Sequence, residues 1–294
     1  MLRARLTSAL RNHVLAHLHP RIIVALQHVR FALFAKAAVR NDWQRRIALV
    51  VQSPDGQAIP RVADAGSIAG GQQIMHNGIR VLAGGYYGPP IREMLRRSRG
   101  IHEPQEERVF AEILEHIPSG GSMIELGAYW GYYSIWFARA VPHARCILVE
   151  PHPLNRSIGR YNAMKNNVPA TFVAAYVGAA NGTAPDGVAV RNVDTLLFDH
   201  RLDHLSVLHA DVQGAEGDML RGARHALENK RIDYIFISTH SNALHEDCRS
   251  QLEAVGYRVV SSINLDETYS EDGVLVVKRP GSPGPDTVPL STRR

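Results

Sequence analysis

Glu125 and Glu150 each stand at the end of a short apolar run, "SMIEL" and "RCILVE", and between them lies the glycine loop "GAYWG", residues 127–131. A strand, a tight glycine turn and a helix commonly cradle a nucleotide-like ligand at the carboxyl end of the strand. A dinucleotide loop needs glycine at its first, third and sixth positions, so that the backbone can approach a pyrophosphate. Counting from Gly127, the third and sixth positions hold Tyr129 and Tyr132, both bulky. A Walker-type loop would end in Gly-Lys-Ser or Gly-Lys-Thr, and neither is present here. A carboxylate at Glu125, two residues before the first glycine, repels phosphate and attracts an ammonium group. Glu150, followed by Pro151, is placed to accept hydrogen bonds from two ribose hydroxyls. A ribose, a positive charge and no phosphate describe S-adenosyl-L-methionine. A plain strand–helix turn is the alternative reading of Gly127 and Gly131.

Such a ligand needs a sheet behind it. From Met123 the sequence alternates short apolar runs with helical stretches: "SMIELGA", "RCILVEP", "ATFVAAYVGA", "LSVLHADV" and "DYIFISTH" read as strands, separated by amphipathic helices. Near-continuous apolar strands alternating with helices specify a parallel sheet covered on both faces. "YRVVSSI" and "GVLVVKR" close the series as an antiparallel pair. The expected class is therefore α/β, with ligands at the carboxyl ends of the strands. Ahead of the sheet, "HEPQEERVFAEILEHI" is a helix, with Pro104 at its first position and Glu106 and Glu107 at the positive end of its dipole. "IREMLRRSRG" reads as a short basic helix, "NGIRVLAGGYYGPP" as a small hairpin and "RIALVVQS" as a short strand. The expected divisions are a basic helical arm over 1–46, an extension or lid over 47–100, the cofactor domain over 101–280, and a tail over 281–294 with the composition of disorder.

The chain carries a net charge of +5 at pH 7, unevenly spread. Residues 1–41 hold no acid, while Arg3, Arg5, Arg11, Arg21, Arg30, Lys36 and Arg40 are all basic. Basic character in an arm rather than in the body argues against a nucleic-acid groove. "RIIVALQHVRFALFAKAAV" is interrupted by Gln27, His28, Arg30 and Lys36, which excludes a spanning helix. The arm reads either as a basic amphipathic helix on a membrane or partner, or as a helix packed on the body. Two cysteines, Cys146 and Cys248, cannot form a disulfide framework, which points to a reduced, cytoplasmic compartment.

The stretch from about Glu103 to Lys278 resembles the FkbM-type class I methyltransferases. Four ordered segments carry the resemblance: "ELGAYWGYYS", "VEPHPLNRSIGRYNAMKNN", "NVDTLLFD" and "ADVQGAEGDMLRGA". Two departures stand out, Tyr129 where the family more often has Asn, and Gln213 where it has Glu. The resemblance implies a Rossmann-like, seven-stranded, mostly parallel sheet with an antiparallel C-terminal strand. It also implies S-adenosyl-L-methionine as cofactor and an O-methyltransferase role, often on sugars of glycans or natural products. Carried onto this chain, the cofactor contacts are Glu125, Gly127, Tyr129, Gly131, Tyr132, Ser134, Glu150, Pro151 and Asp211.

Methyl transfer is an in-line displacement, so the enzyme must hold the nucleophile about 3–3.5 Å from the methyl carbon. A hydroxyl acceptor calls for a general base, most often His. Asp211 ends the fourth strand and His240 ends the fifth, which makes His240 the expected base and Asp211 its orienting carboxylate or a substrate contact. Asp211 can equally cap the next helix, and His240 can be an ordinary loop histidine. Glu216, Tyr86, Tyr87 and His102 are the expected substrate contacts, with capping or packing as their alternatives. His209, two residues before Asp211, shares its strand face and is expected to pack under the site. The end of the fifth strand offers Thr239, His240, Ser241 and Asn242, with no carboxylate, so no metal is expected. The leading expectation is a sugar- or glycan-directed O-methyltransferase without nucleic-acid partners. A non-catalytic cofactor-binding adaptor at a membrane or partner, and a nucleic-acid methyltransferase, are the alternatives.

Overall fold

The computed structural model describes residues 19–34 and 37–293. The basic residues Arg3, Arg5, Arg11 and Lys36 of the arm lie outside this range. The described chain opens with helices α1 (Pro20–Phe34), α2 (Ala37–Gln52) and α3 (Pro54–Ala58). "RIALVV", expected as a strand, lies inside α2. Ile47 and Val50 are buried and Trp43 packs against the same core, an i, i+4, i+7 stripe that begins upstream of the short run and sets its period. A three-stranded antiparallel sheet follows: β1 (Ile68–Ala69), β2 (Gln72–Ile74) and β3 (Arg80–Leu82), with Asn77-Gly78 between β2 and β3. Helices α4 (Pro89–Ser98) and α5 (Pro104–Leu114) lead into the main sheet.

From Ser122 the order is β4 (Ser122–Leu126), α6 (Tyr132–Ala140), β5 (Arg145–Val149), α7 (Pro153–Lys165) and β6 (Thr171–Val173). Then come β7 (Ala175–Val177), β8 (Gly182–Thr183), β9 (Ala189–Arg191), α8 (Val193–Asp199) and β10 (Leu205–Ala210). The chain closes with α9 (Glu216–Arg221), α10 (Arg224–Glu228), β11 (Ile232–Thr239), α11 (Asn242–Ala254), β12 (Arg258–Ile263) and β13 (Gly273–Lys278). "ATFVAAYVGA" was expected as one strand but breaks at Ala174: β6 joins the main sheet, and β7 turns away into a small sheet with β8 and β9. The segment is largely half-exposed, so burial on both faces does not hold it in one sheet.

The main sheet has seven strands in the order β12-β13-β11-β10-β4-β5-β6. Pairing is parallel except around β13, which runs antiparallel to both β11 and β12. Its strands alternate between two cores, as a period of two requires. Met123, Val207, Tyr234 and Phe236 enter the core under α5 and α6, whereas Ile124, Leu208, Ile235 and Ile237 enter the core on the opposite face. Glu125 and His209 pair in register on β4 and β10. Alternation from Met123 and Val207 sets both on the face covered by α5 and α6, at the carboxyl end of the strands.

Asn162 and Asn166 of α7 bind the backbone of β3. Asn162 Oδ1 accepts from Leu82 N at 2.8 Å and Asn166 Oδ1 from Arg80 N at 2.9 Å. These amides satisfy a strand edge and fasten the N-terminal sheet to the cofactor-binding fold. The tail, expected to be disordered, is packed instead. Val288 is buried and its N–H donates to Val260 O at 3.0 Å. Ser291 N donates to Asp55 Oδ2 at 2.8 Å and Arg293 N to Glu267 O at 2.7 Å. One apolar anchor and a series of backbone hydrogen bonds outweigh the tail's proline- and glycine-rich composition.

Candidate functional site

The cofactor loop is shaped by its backbone. Gly127, Tyr129 and Gly131 all have positive φ, at 74°, 38° and 73°. A Cβ on Gly127 would overlap the carbonyl oxygen of Asp211, because the loop passes directly over the end of β10. At Gly131 a Cβ would come 2.8 Å from Leu148 Cδ2, so this glycine serves the packing of α6 on β5. Tyr129 adopts a conformation that Asn tolerates better than most side chains. Its backbone N–H donates to Glu150 Oε2 at 3.0 Å, which ties the first loop to the second acid.

Both acids face a cavity of about 320 Å³ at the carboxyl ends of β4, β5 and β10. Glu125 Oε2 accepts from Ser134 N at 2.9 Å and so also caps the first turn of α6. Burial raises its pKa above the usual carboxylate range, against the opposing pull of His209 and Ser134. Glu150 Oε1 accepts from His152 N at 2.7 Å, and burial raises this carboxyl too, against the donors from His152 and Tyr129. Tyr86 stacks on Trp130 with centroids 4.6 Å apart, and Tyr87 stacks on Tyr129 at 5.6 Å. The two aromatic residues inside the turn are thus clamped from above by the two that precede α4. Four carboxylates (Glu103, Glu125, Glu150 and Asp211) line this cavity, and among the described residues no Lys or Arg does.

A second cavity of about 360 Å³ adjoins the first, with Tyr86, Tyr87, His102, Glu103 and Gln213 shared between them. Its outer wall comes from α2, through Trp43 and Arg46, and from the loop before β13, through Leu265, Ser270, Glu271 and Asp272. His240 stands on its floor. His240 Nδ1 lies 2.8 Å from Glu216 Oε1, and Nε2 lies 3.3 Å from Asp211 Oδ1 and 3.5 Å from Asp272 Oδ1. Burial alone would lower this imidazole's pKa. Hydrogen bonds to Asp211 and Glu216, with the charge of Asp272, overturn that and push it up to about 10. The carboxylate that orients His240 Nδ1 is therefore Glu216, not Asp211, and Asp211 stands on the Nε2 side. Glu216 lines neither cavity because it is fully buried, with its Oε1 held by His240 and by the N–H of Gly214 at 3.1 Å.

Below the shared wall lies a layer of His–carboxylate pairs that the helical reading of Glu106 and Glu107 did not reveal. Glu107 Oε1 is 2.6 Å from His102 Nδ1 and accepts from the backbone N–H of His102 and Glu103. Glu106 Oε1 is 2.6 Å from His209 Nε2, and Glu106 Oε2 accepts from Ser238 Oγ at 2.8 Å. Tyr133 Oη donates to Glu103 Oε2 at 2.8 Å. Burial would lower the His102 pKa, but Glu103 and Glu107 push it up to about 10. His209 is raised in the same sense by Glu106. Only the pairing of buried imidazoles with buried carboxylates makes these charges tolerable. The HEPQEE stretch holds both acids and one of the histidines, since Glu107 meets His102 five residues before it, whereas Glu106 meets His209 from β10.

Most of the residues expected to touch cofactor line the first cavity: Glu125, Gly127, Tyr129, Glu150, Pro151 and Asp211. Tyr86, Tyr87 and His102, expected to touch substrate, line both. Besides Glu216, three residues do not face either cavity. Tyr132 is fully buried, with its Oη receiving Asn77 Nδ2 at 3.2 Å, and Ser134 is buried behind Glu125. Gly131 lies at the start of α6, where its freedom serves the turn. All three follow the motif in sequence, but the helix carries them away from the ligand side. His209, expected to pack beneath the site, lines the first cavity. Among the described residues no group of three or more His, Cys, Asp or Glu side chains is arranged to hold a metal ion.

The strand order with a reversed β13, the acid–glycine loop after β4 and the second acid after β5 define a class I methyltransferase. Residues 112–259 match the methyltransferase FkbM domain, half of the chain, and the chain belongs to that family. It is an S-adenosylmethionine-dependent methyltransferase. Solved structures with similar folds include precorrin-6y C5,15-methyltransferase from Geobacter metallireducens, at 17% identity, covering 58% of this chain and 87% of that one, TM-score 0.41. A Streptococcus mutans protein described as a SAM-dependent methyltransferase matches at 15% identity over 60% of this chain, TM-score 0.42, and the match spans only 49% of that protein. TrmK from M. capricolum, in complex with S-adenosylhomocysteine, matches at 10% identity over 58% of this chain and 68% of that one, TM-score 0.41. No curated protein matches the sequence.

The residues present fit this cofactor. Four carboxylates outnumber the two histidines that line the cavity, His102 and His209, each of which is already paired with a glutamate. Among the described residues no Lys or Arg lines it; this suits a sulfonium and an ammonium, and disfavours phosphate. Glu150 would hold the ribose hydroxyls, and Glu125 and the loop backbone the amino-acid end.

Proposed function

We propose that the chain is an O-methyltransferase acting on a hydroxyl of a sugar in a glycan or glycosylated natural product. The observation that carries this reading is the second cavity. It opens beside the cofactor cavity and presents three aromatic side chains (Trp43, Tyr86 and Tyr87) together with hydrogen-bonding groups from Gln213, Ser270 and Asp272. Aromatic faces pack on the C–H faces of sugar rings, and carboxylates and amides bind their hydroxyls. Among the described residues Arg46 is the one arginine on its wall, and it lies 2.8 Å from Asp42 and 3.2 Å from Glu271, which argues against a basic track for a nucleic-acid backbone.

When bound, S-adenosylmethionine supplies an electrophilic methyl group on sulfur. The chain's residues would do the rest. Glu125 and Glu150 fix the cofactor, the Tyr86–Trp130 and Tyr87–Tyr129 stacks roof it, and the cluster at the ends of β10 and β11 receives the acceptor hydroxyl. His240 was the expected base. Held by Glu216 on Nδ1 and by Gln213 and Asp211 on Nε2, with its pKa pushed up to about 10, it supports that cluster rather than standing as a free proton acceptor. The test is product analysis after incubation with ¹³C-methyl-labelled cofactor and a panel of glycans, RNA and protein. The reading requires an O-methyl resonance on a sugar. Label appearing only on a base or a peptide nitrogen would overturn it.

A second reading concerns location. Ile22, Leu26 and Val29 form one stripe on α1 and are 50%, 55% and 56% exposed, while Val24 on the other side is buried. With the acid-free N-terminal segment, this supports a peripheral membrane contact for the arm. Co-sedimentation with anionic but not neutral vesicles is the expected outcome. No helix among the described residues is long and apolar enough to cross a membrane.

A further inference from the structure

The acceptor cavity has three carboxylates on its wall: Glu103, Glu271 and Asp272. Two of them are occupied. Glu103 receives Tyr133 Oη at 2.8 Å and lies 3.1 Å from His102 Nε2. Glu271 receives Arg45 at 2.8 Å and lies 3.2 Å from Arg46. Asp272 differs. Among the described residues its carboxylate approaches only His240 Nε2, at 3.5 Å, beyond ordinary hydrogen-bond length.

The loop that carries Asp272 is nonetheless firmly held. Gln105 Oε1 accepts from Thr268 Oγ1 and from Tyr269 N, each at 2.8 Å. Asn242 Oδ1 accepts from Leu265 N at 3.1 Å, and Asn242 Nδ2 donates to Asp266 Oδ2 at 2.8 Å. Ser270 Oγ donates to the backbone oxygen of Asp272 at 3.1 Å. The backbone is thus fixed from α5 and α11 while the carboxylate keeps its acceptor positions open toward the cavity. His240 is in the opposite condition, with both ring nitrogens committed to protein groups.

Resting on the reading of the second cavity as a hydroxyl-acceptor site, we propose that Asp272 is the catalytic base, and that His240, held by Glu216, is a positioning residue that acts on it across 3.5 Å by charge rather than by a hydrogen bond. As the hydroxyl oxygen forms its bond to the methyl carbon, the sulfur–carbon bond breaks with its electron pair left on sulfur. The hydroxyl proton passes to the Asp272 carboxylate, which returns it to solvent through the open mouth of the cavity.

The groups that face Asp272 support the assignment. Burial raises its pKa, the nearby His240 lowers it, and Asp211, Glu103 and Glu106 raise it, with the result set at about 7. A base with a pKa near the working pH combines a large ionised fraction with a useful affinity for the proton. Activity should rise with pH through about 7 as Asp272 ionises, and level off above it.

The test is Asp272→Asn, close in shape and unable to accept a proton. Turnover should fall by about a hundredfold or more, and the acid limb near pH 7 should vanish. Cofactor affinity, measured by calorimetry, should stay within about twofold, since Asp272 does not line the cofactor cavity. A second measurement needs no acceptor. In the difference spectrum of the intact protein minus the variant, which cancels the buried Glu106, Glu125 and Glu150, a protonated-carboxyl infrared band should titrate near pH 7, and that band should be missing from the variant. Unchanged turnover and an unchanged acid limb in Asp272→Asn would overturn the assignment. So would loss of the limb in His240→Gln with its retention in Asp272→Asn, or survival of the infrared band in the variant. If the wild type methylates no polyhydroxyl acceptor, the functional reading fails separately, and the infrared titration still decides whether Asp272 holds a proton near neutrality.

Discussion

The two cavities are assembled in different ways. The cofactor cavity takes its two acids and its roofing loop from short consecutive stretches, Glu125–Trp130 and Glu150–Asn155, joined by one hydrogen bond from Tyr129 N to Glu150. The acceptor cavity draws on α2, the residues ahead of α4 and α5, the end of β11 and the loop before β13. In the first, the backbone conformation of a turn sets the two acids, and Tyr86, Tyr87 and Asp211 complete a site already laid out locally. In the second, the site exists only when distant elements meet. Substitutions in the first region should therefore act on cofactor affinity, and substitutions in the second on acceptor affinity or the chemical step.

The largest expected effect is at Gly127. Gly127→Ala places a Cβ against the Asp211 carbonyl at a residue with φ 74°. It should lower stability by about 3 kcal/mol and weaken cofactor binding by more than about a hundredfold, read by thermal melting and calorimetry. Glu150→Gln keeps the shape but removes the charge, and should weaken cofactor binding by about ten- to a hundredfold with little change in the melting temperature. A loss of acceptor affinity instead would break the division between the two cavities.

A smaller effect belongs to the layer between them. His102 and His240 are both raised to about 10 from an ordinary 6.5. Because these groups bind protons more tightly in the folded state, their stabilisation is fully present below pH 6.5 and is lost as pH rises toward 10. The melting temperature should fall across that interval. His102→Asn should remove part of the fall. A flat profile would mean that the His–carboxylate layer contributes no pH-dependent stability. The smallest effect is at Trp43, where Trp43→Ala should raise the acceptor KM by about fivefold and leave cofactor affinity unchanged.

The same contrast explains what could be read from the sequence. The sheet, the reversed final strand, Glu125, Glu150 and the glycine loop follow from alternation, strand ends and local turn requirements. Asp272 could not be read in that way. It stands in "LDETYSEDG", an acidic loop like many others, and its role depends on the strand order that brings β13 beside β11. Glu106 and Glu107 suit the start of any helix; Glu107 gains a second role from His102 just ahead of the helix, and Glu106 only from tertiary contact with His209. "RIALVV" is too short to show a period, so its helix became visible only through Trp43, upstream of it. The tail's composition concealed an anchor of one buried valine.

The carboxylate-lined cofactor cavity is expected to select a phosphate-free nucleoside that carries an ammonium group. Calorimetric titration of the intact chain with S-adenosylhomocysteine, and in parallel with NAD and ATP, tests it most directly. Binding of S-adenosylhomocysteine at one site per chain, with no heat from either phosphate-bearing nucleotide, is the predicted result. Binding of NAD or ATP at this site, or no binding of S-adenosylhomocysteine, would contradict it.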